Sequence, residues 1–226
     1  MSANEVQSYL DRHFVSLEQL APAAGETPSA ARDLVEAGCV PRPSYVVSGD
    51  GALATAVFGR LPGSAQLPGD YYPPAGAAWI RRAARIRAQA GGDLLEAAAA
   101  VSHTFIARYR EALREFDDDT DQGDVDALAG EVEGTITHWR SGTYGVCTRH
   151  PVDERAIARK QVAQLRLARL ANDGHRSAFS QVEVAKLREA MAEYDAAAMP
   201  FSPANYPQSS RKRLVDDVLA FLRSHR

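Results

Sequence analysis

A chain of 226 residues with 45% apolar and 24% charged side chains is long enough to bury a core, and its net charge of −3 gives no global pull toward a polyanion. The longest apolar run, residues 97–101, is far too short to span a bilayer, and the opening M-S-A-N-E-V-Q-S-Y-L lacks the basic-then-apolar order of a secretory leader. Two cysteines, Cys39 and Cys147, form no disulfide framework, so the expected location is cytoplasmic.

Residues 5–12 read as a first helix with Asn4 as its cap. Ser16 caps a second over residues 17–24, which Gly25 stops. Thr27 and Pro28 open a third that runs to about Ala37. Pro41 and Pro43 hold the chain extended, and residues 44–48 and 52–58 read as a small hairpin around Asp50-Gly51. This order of helix, turn, helix and two-stranded wing is carried by L-E-Q-L-A-P-A-A-G-E-T-P-S-A-A-R-D-L-V-E-A-G-C-V-P. It resembles the amino-terminal winged helix-turn-helix of MerR-type regulators, which implies a DNA-reading second helix. The charges argue against that role. Residues 1–60 carry four basic groups against seven acidic ones, and the second helix presents Ser29, Ala30, Arg32, Asp33 and Glu36. Phosphate recognition needs flanking Lys or Arg. The preferred reading is a compact way to pack two helices, with no nucleic-acid partner.

Residues 59–74, rich in Gly and Pro, read as a linker or covering loop, and Tyr71 and Tyr72 as packing aromatics. A helix over 75–90 follows, whose Arg81, Arg82, Arg85 and Arg87 read as a solvated face pairing with nearby acids. Residues 93–116 form the longest helix, with a core stripe of Leu94, Ala98, Ser102, Phe105, Tyr109, Ala112 and Phe116. His103 points nearly opposite that stripe, toward a partner helix or a cleft. The alternation of Asp117, Asp119, Asp121 and Gly123 has a passing likeness to a calcium loop, but the twelfth position is Leu128 and not an acid, so a solvated connector is expected. Further helices are expected over 124–140, 152–171, 181–199 and 211–224.

The stretch W-R-S-G-T-Y-G-V-C-T-R-H-P, residues 139–151, departs from ordinary helical scaffold. It sets Tyr144, Cys147, Arg149 and His150 within seven positions, with Gly142 and Gly145 freeing the backbone. Several chemistries fit. Cys147 and His150 are spaced as half of a zinc site, with no second half in sequence, so no metal is nominated. A Cys–His nucleophile is a second option, with Arg149 or His150 activating the thiol. In a third, Tyr144, Arg149 and His150 bind and polarise a small acid or carbonyl compound, His150 shuttling the proton. The bland alternative is a bent loop whose aromatic plugs the core.

Three blocks carry a wider resemblance: L-V-E-A-G-C-V-P-R-P-S-Y at 34–45, G-T-Y-G-V-C-T-R at 142–149 with I-A-R-K at 157–160, and P-F-S-P-A-N-Y-P-Q-S-S-R at 200–211. Together they resemble an actinobacterial family of unknown function labelled natural product biosynthesis proteins. The resemblance implies a small-molecule role in a biosynthetic setting and no particular reaction. It nominates Tyr45, Tyr144, Cys147, Arg149, Tyr206, Ser209, Ser210 and Arg211 as positions within its motifs.

The expected architecture is mainly α: a winged-helix-like module over 1–60 with a small β-hairpin, then an α-helical bundle of five or six helices over 61–226. The expected function is a small-molecule enzyme or binding protein of secondary metabolism. A regulator with an amino-terminal DNA reader and a non-catalytic partner of a biosynthetic enzyme are the alternatives. His103, Tyr144, Cys147 and His150 are the candidates for chemistry, and Arg149, Tyr45, Tyr206 and Arg211 for substrate binding, all converging on one pocket. The expected partner is a small-molecule substrate or biosynthetic intermediate. No membrane contact is expected, no cofactor is nominated, and a homodimer stays open.

Overall fold

Short polar caps set the helix starts. The computed structural model describes residues 2–116, 122–176 and 178–224. Ser2 rather than Asn4 caps α1 (Ala3–His13): its hydroxyl accepts from the Glu5 N–H, and the Glu5 carboxylate accepts from the Ser2 N–H. The same reciprocal pair, Ser16 with Gln19, opens α2 (Leu17–Ala24), and Gly25 at φ +84° ends it. Thr27 caps α3 (Pro28–Glu36).

The chain after Gly38 goes beyond the expected hairpin. β1 (Tyr45–Val47) and β2 (Ala52–Thr55) pair around Asp50-Gly51, but β3 (Gly59–Ser64) and β4 (Gly69–Tyr71) occupy the stretch read as a linker. The four strands form an antiparallel sheet in the order β3-β2-β1-β4, and a bridge between Val15 and Tyr72 ties it to the loop before α2. The sheet therefore runs past residue 60. Pro62 and Gly63 are tolerated because β3 is an edge strand.

Helices α4 (Gly76–Gln89), α5 (Leu94–Glu115), α6 (Gln122–Gly130), α7 (Val132–Arg140), α8 (Thr143–Cys147), α9 (Glu154–Leu170), α10 (Gln181–Ala197) and α11 (Asp217–Ser224) follow. The single helix expected over 124–140 is two, separated at Glu131. Asp117 to Asp121 lie outside the described residues. A π-helical turn, Lys212–Asp216, leads into α11. On α5, Phe105, Tyr109 and Ala112 are buried as their spacing predicts, but Ala97, Val101 and Leu113 complete the buried stripe, and Leu94, Ala98, Ser102 and Phe116 are only half-buried. The protein is mainly helical, with one small antiparallel sheet. No described helix is long and apolar enough to cross a membrane.

Among the described residues the core forms three apolar clusters. The largest joins α2 and α3 to α4, α5, α7 and α9. In it Phe105 stacks on Tyr109 (6.1 Å between centroids, 9° apart) and Trp139 meets Trp79 edge-on at 5.1 Å. Each such pair is worth about 0.5–1.5 kcal/mol beyond its buried area. A second cluster joins α1 to the sheet, and a third joins α9 to α10 and the carboxy-terminal turns. α8 links the first two, since Tyr144 packs in one and Val146 in the other.

Candidate functional site

The stretch expected as a bent loop contains the short helix α8. Gly142, at φ +83°, supplies the turn from α7. Gly145 is helical, and its lack of a side chain serves a close approach: a Cβ there would stand 2.9 Å from Pro73 Cγ and collide with the Ser44 hydroxyl. Both glycines thus press α8 onto the extended segment after Pro41. On leaving α8 the chain pairs with the residues after α10. The Met199 N–H donates to the Cys147 carbonyl at 3.1 Å, and the Arg149 N–H donates to the Ala197 carbonyl at 2.9 Å.

This pairing sends the side chains of the stretch to two places. Tyr144 and Cys147 line a cavity of about 400 Å³, and Arg149 and His150 line a separate groove of about 260 Å³ beside the start of α9. The spacing C-x-x-H does not bring Cys147 and His150 into one hollow. Among the described residues no group of three or more His, Cys, Asp and Glu is placed to hold a metal.

The cavity lies between the first two clusters, with Leu128, Tyr144, Cys147 and Leu165 from one and Phe58 and Val146 from the other. Its floor is α8 and one face of α9, where Lys160, Gln161, Gln164 and Leu165 fall on neighbouring turns. Val57 and Phe58, from the β2–β3 turn, form one wall; Leu128 and His138 form another; Phe201, Gln208, Ser210 and Arg213 form the cover. No Asp or Glu is among the described lining residues. Its basic members are Lys160, Arg213 and His138, and Arg213 pairs with Asp173.

Two polar groups here are out of balance. The Tyr144 side chain is only 5% exposed and its phenol oxygen makes no hydrogen bond. Burial pushes that phenol above its usual range and the neighbouring Tyr109 adds to this; Thr135 and Gln161 lie near enough to oppose it, yet neither bonds the oxygen. Tyr109 donates to Gln161 Oε1 at 2.7 Å, which leaves the Gln161 amide nitrogen as a donor. Lys160 is also 5% exposed, and its partner is the Gln164 side-chain carbonyl rather than a carboxylate. A lysine this deep is ordinarily paired with an acid.

The remaining candidates hold the cover down. Tyr45 is fully buried against Phe14, and its phenol accepts a 2.8 Å hydrogen bond from Asn205, itself held by Ser202. Tyr206 donates to Asp216 at 2.8 Å. Arg211 pairs with Asp195 at 2.5 Å and with Asp216 at 3.6 Å, while Arg149 donates to the Asp195 carbonyl at 2.8 Å. Ser209 accepts from the Lys212 N–H at 3.1 Å, and Ser210 both lines the cavity and bonds Tyr194 at 2.6 Å. His103 lies exposed on α5 and lines neither hollow. Lys160, Gln161 and Gln164 were not among the nominated residues, although Lys160 closes the I-A-R-K block at 157–160, which is the signal that could have found it.

A larger concavity, about 1060 Å³, lies between α1, α2, α3 and β4. Asp11, Glu18, Glu36 and Asp70 line it with Arg32 and Arg42, and Arg32 is already paired with Glu18 at 3.3 Å. Among its described lining residues none is a buried polar group without a partner, as Tyr144 is in the smaller cavity.

Fold and cavity define a mainly helical protein with a solvent-open hollow, lined by no Asp or Glu among the described residues, where its helices meet a small sheet. The chain belongs to DUF6058, a family of unknown function, whose model matches residues 101–223. That segment runs from α5 through α11 and supplies every wall of the cavity except the β2–β3 turn. No curated protein and no solved structure matches the chain.

Proposed function

We propose that the chain binds a metabolite-sized molecule in the cavity under residues 200–213, as an enzyme or binding protein of natural product biosynthesis. The observation that carries the reading is the Tyr144 phenol, buried in the wall of a 400 Å³ hollow without a hydrogen-bond partner. A buried donor left unmade is costly, and cavities of this size are typical of small-molecule sites. The biosynthetic setting rests on the three sequence blocks, two of which, at 142–149 and 200–211, build the floor and the cover. Native mass spectrometry of the protein recovered from the cells that produce it tests the binding. A retained small molecule, lost when Ser210→Trp fills the hollow, is expected. No retained mass, or equal retention by the filled variant, overturns it. Metabolite profiling of a producer strain lacking the protein is expected to show one altered secondary metabolite.

One observation favours a second reading, a regulator. α2, the Gly25 turn and α3 precede antiparallel strands in the order of a winged helix-turn-helix. Against it, Arg32 is the one basic residue of α3, it pairs with Glu18, and Asp33 and Glu36 are exposed beside it. A salt-sensitive shift of promoter DNA, abolished by Arg32→Ala, would favour the regulator.

A further inference from the structure

The charge of the cavity narrows what it takes. Lys160 is 5% exposed with no carboxylate at its ammonium, and no acid stands among the described lining residues to balance it. A cation so placed is expensive unless something anionic arrives. The other walls, Val57, Phe58, Leu165 and Phe201, are apolar and accept a hydrocarbon or aromatic body.

Resting on the reading that the cavity binds a small molecule, we infer that its ligand is an organic carboxylate, the acid group on Lys160 and Tyr144 and the apolar body against the β2–β3 turn and Phe201. The Lys160 ammonium and the Tyr144 hydroxyl are both donors, which suits an accepting carboxylate, whereas an amine or a neutral ester leaves the ammonium's charge unbalanced.

The test compares 3-phenylpropanoate with 3-phenylpropanamide by titration calorimetry on the full chain. These two differ in charge and hardly in shape. The acid is expected to bind the wild type, to bind Lys160→Arg within a few-fold, and to bind Lys160→Met about ten- to hundred-fold more weakly, the range for loss of a charge-assisted hydrogen bond. The amide is expected to bind all three alike and weakly. Circular dichroism of Lys160→Met confirms the fold, and the fall of acid affinity with added salt in the wild type provides a readout that needs no variant. Equal binding of acid and amide, or undiminished acid binding by Lys160→Met, overturns the carboxylate assignment and leaves the cavity reading in place. Failure of both compounds to bind the wild type overturns the assignment, and the cavity reading falls only if the recovered protein also retains no small molecule.

Discussion

Ser44 donates a 3.0 Å hydrogen bond from its hydroxyl to the carbonyl of Gly142, so the strand leading into β1 is fastened to the first turn of α8. The contact is close enough to leave no room for side chains. A Cβ on Gly142 would stand 2.7 Å from the Pro43 carbonyl oxygen, on a backbone at φ +83°. Gly145→Ala is expected to destabilise by about 1–3 kcal/mol through overpacking. Gly142→Ala is expected to add left-handed strain of about 1–2 kcal/mol to a similar clash. Urea denaturation with an unchanged slope measures both. Losses within about 0.5 kcal/mol, the scale of ordinary surface changes, would show that α8 is not held this tightly.

The start of α9 depends on a buried ion pair. Glu154 is 2% exposed and meets Arg82 at 2.7 Å, and Trp79 donates to the Pro151 carbonyl at 2.5 Å beside it. Burial raises the Glu154 carboxyl, and Arg82 opposes the rise. Arg82→Met strands the carboxylate and is expected to cost about 3–5 kcal/mol. Adding Glu154→Leu is expected to restore most of that loss. A double-mutant cycle by chemical denaturation measures the coupling, and simple additivity of the two changes would contradict the pair's role.

Groups kept in the cavity for a ligand should burden the empty protein. Lys160→Met removes a buried charge that lacks a carboxylate and is expected to stabilise by about 1–2 kcal/mol. Tyr144→Phe removes an unmade donor and is expected to be neutral or to stabilise by about 1 kcal/mol. Both are expected to weaken ligand binding. A clear loss of stability in both variants would make these residues part of the scaffold instead.

Acid should loosen α10 at its amino end. Glu183 accepts from the Ser180 N–H and pairs with Arg176, and these contacts hold its carboxyl at about 2 against an ordinary 4.5. A carboxyl lowered in the folded state contributes stability that is fully present above 4.5 and is lost as pH falls toward 2. Glu183→Gln is expected to flatten that limb of the stability–pH curve. An unchanged acid limb, measured by thermal denaturation between pH 5 and 2, would remove Glu183 from the account.

What the sequence makes legible is what local chemistry decides. Ser16, Gly25 and Thr27 mark the ends of α2 and α3 because capping is settled within a few residues. β3 and β4 were hidden because Gly59, Pro62, Gly63 and Gly69 read as loop, and only pairing with β2 and β1 makes them strands. The 139–151 stretch was visible as unusual, but its division was not. Whether Cys147 and His150 share a hollow depends on pairing with residues 197–199, far along the chain. Lys160 was missed for the same reason. Polar residues at 160, 161 and 164 look like a solvated face until residues 200–213 fold over them. Tyr206 and Arg211 carry polar side chains, as a ligand site would; neither lines the cavity, and they bond Asp216 and Asp195.

Cys147 offers the most direct measurement of what the cavity does. It lines the hollow and is partly exposed, whereas Cys39 is 1% exposed. Alkylation of Cys147 by N-ethylmaleimide, followed by mass spectrometry, reports access to the cavity in the intact protein. 3-Phenylpropanoate at a concentration that saturates the wild type is expected to slow the reaction severalfold there and clearly less in Lys160→Met. A rate indifferent to the acid in the wild type, at concentrations where calorimetry shows it bound, would place the ligand elsewhere and contradict the account.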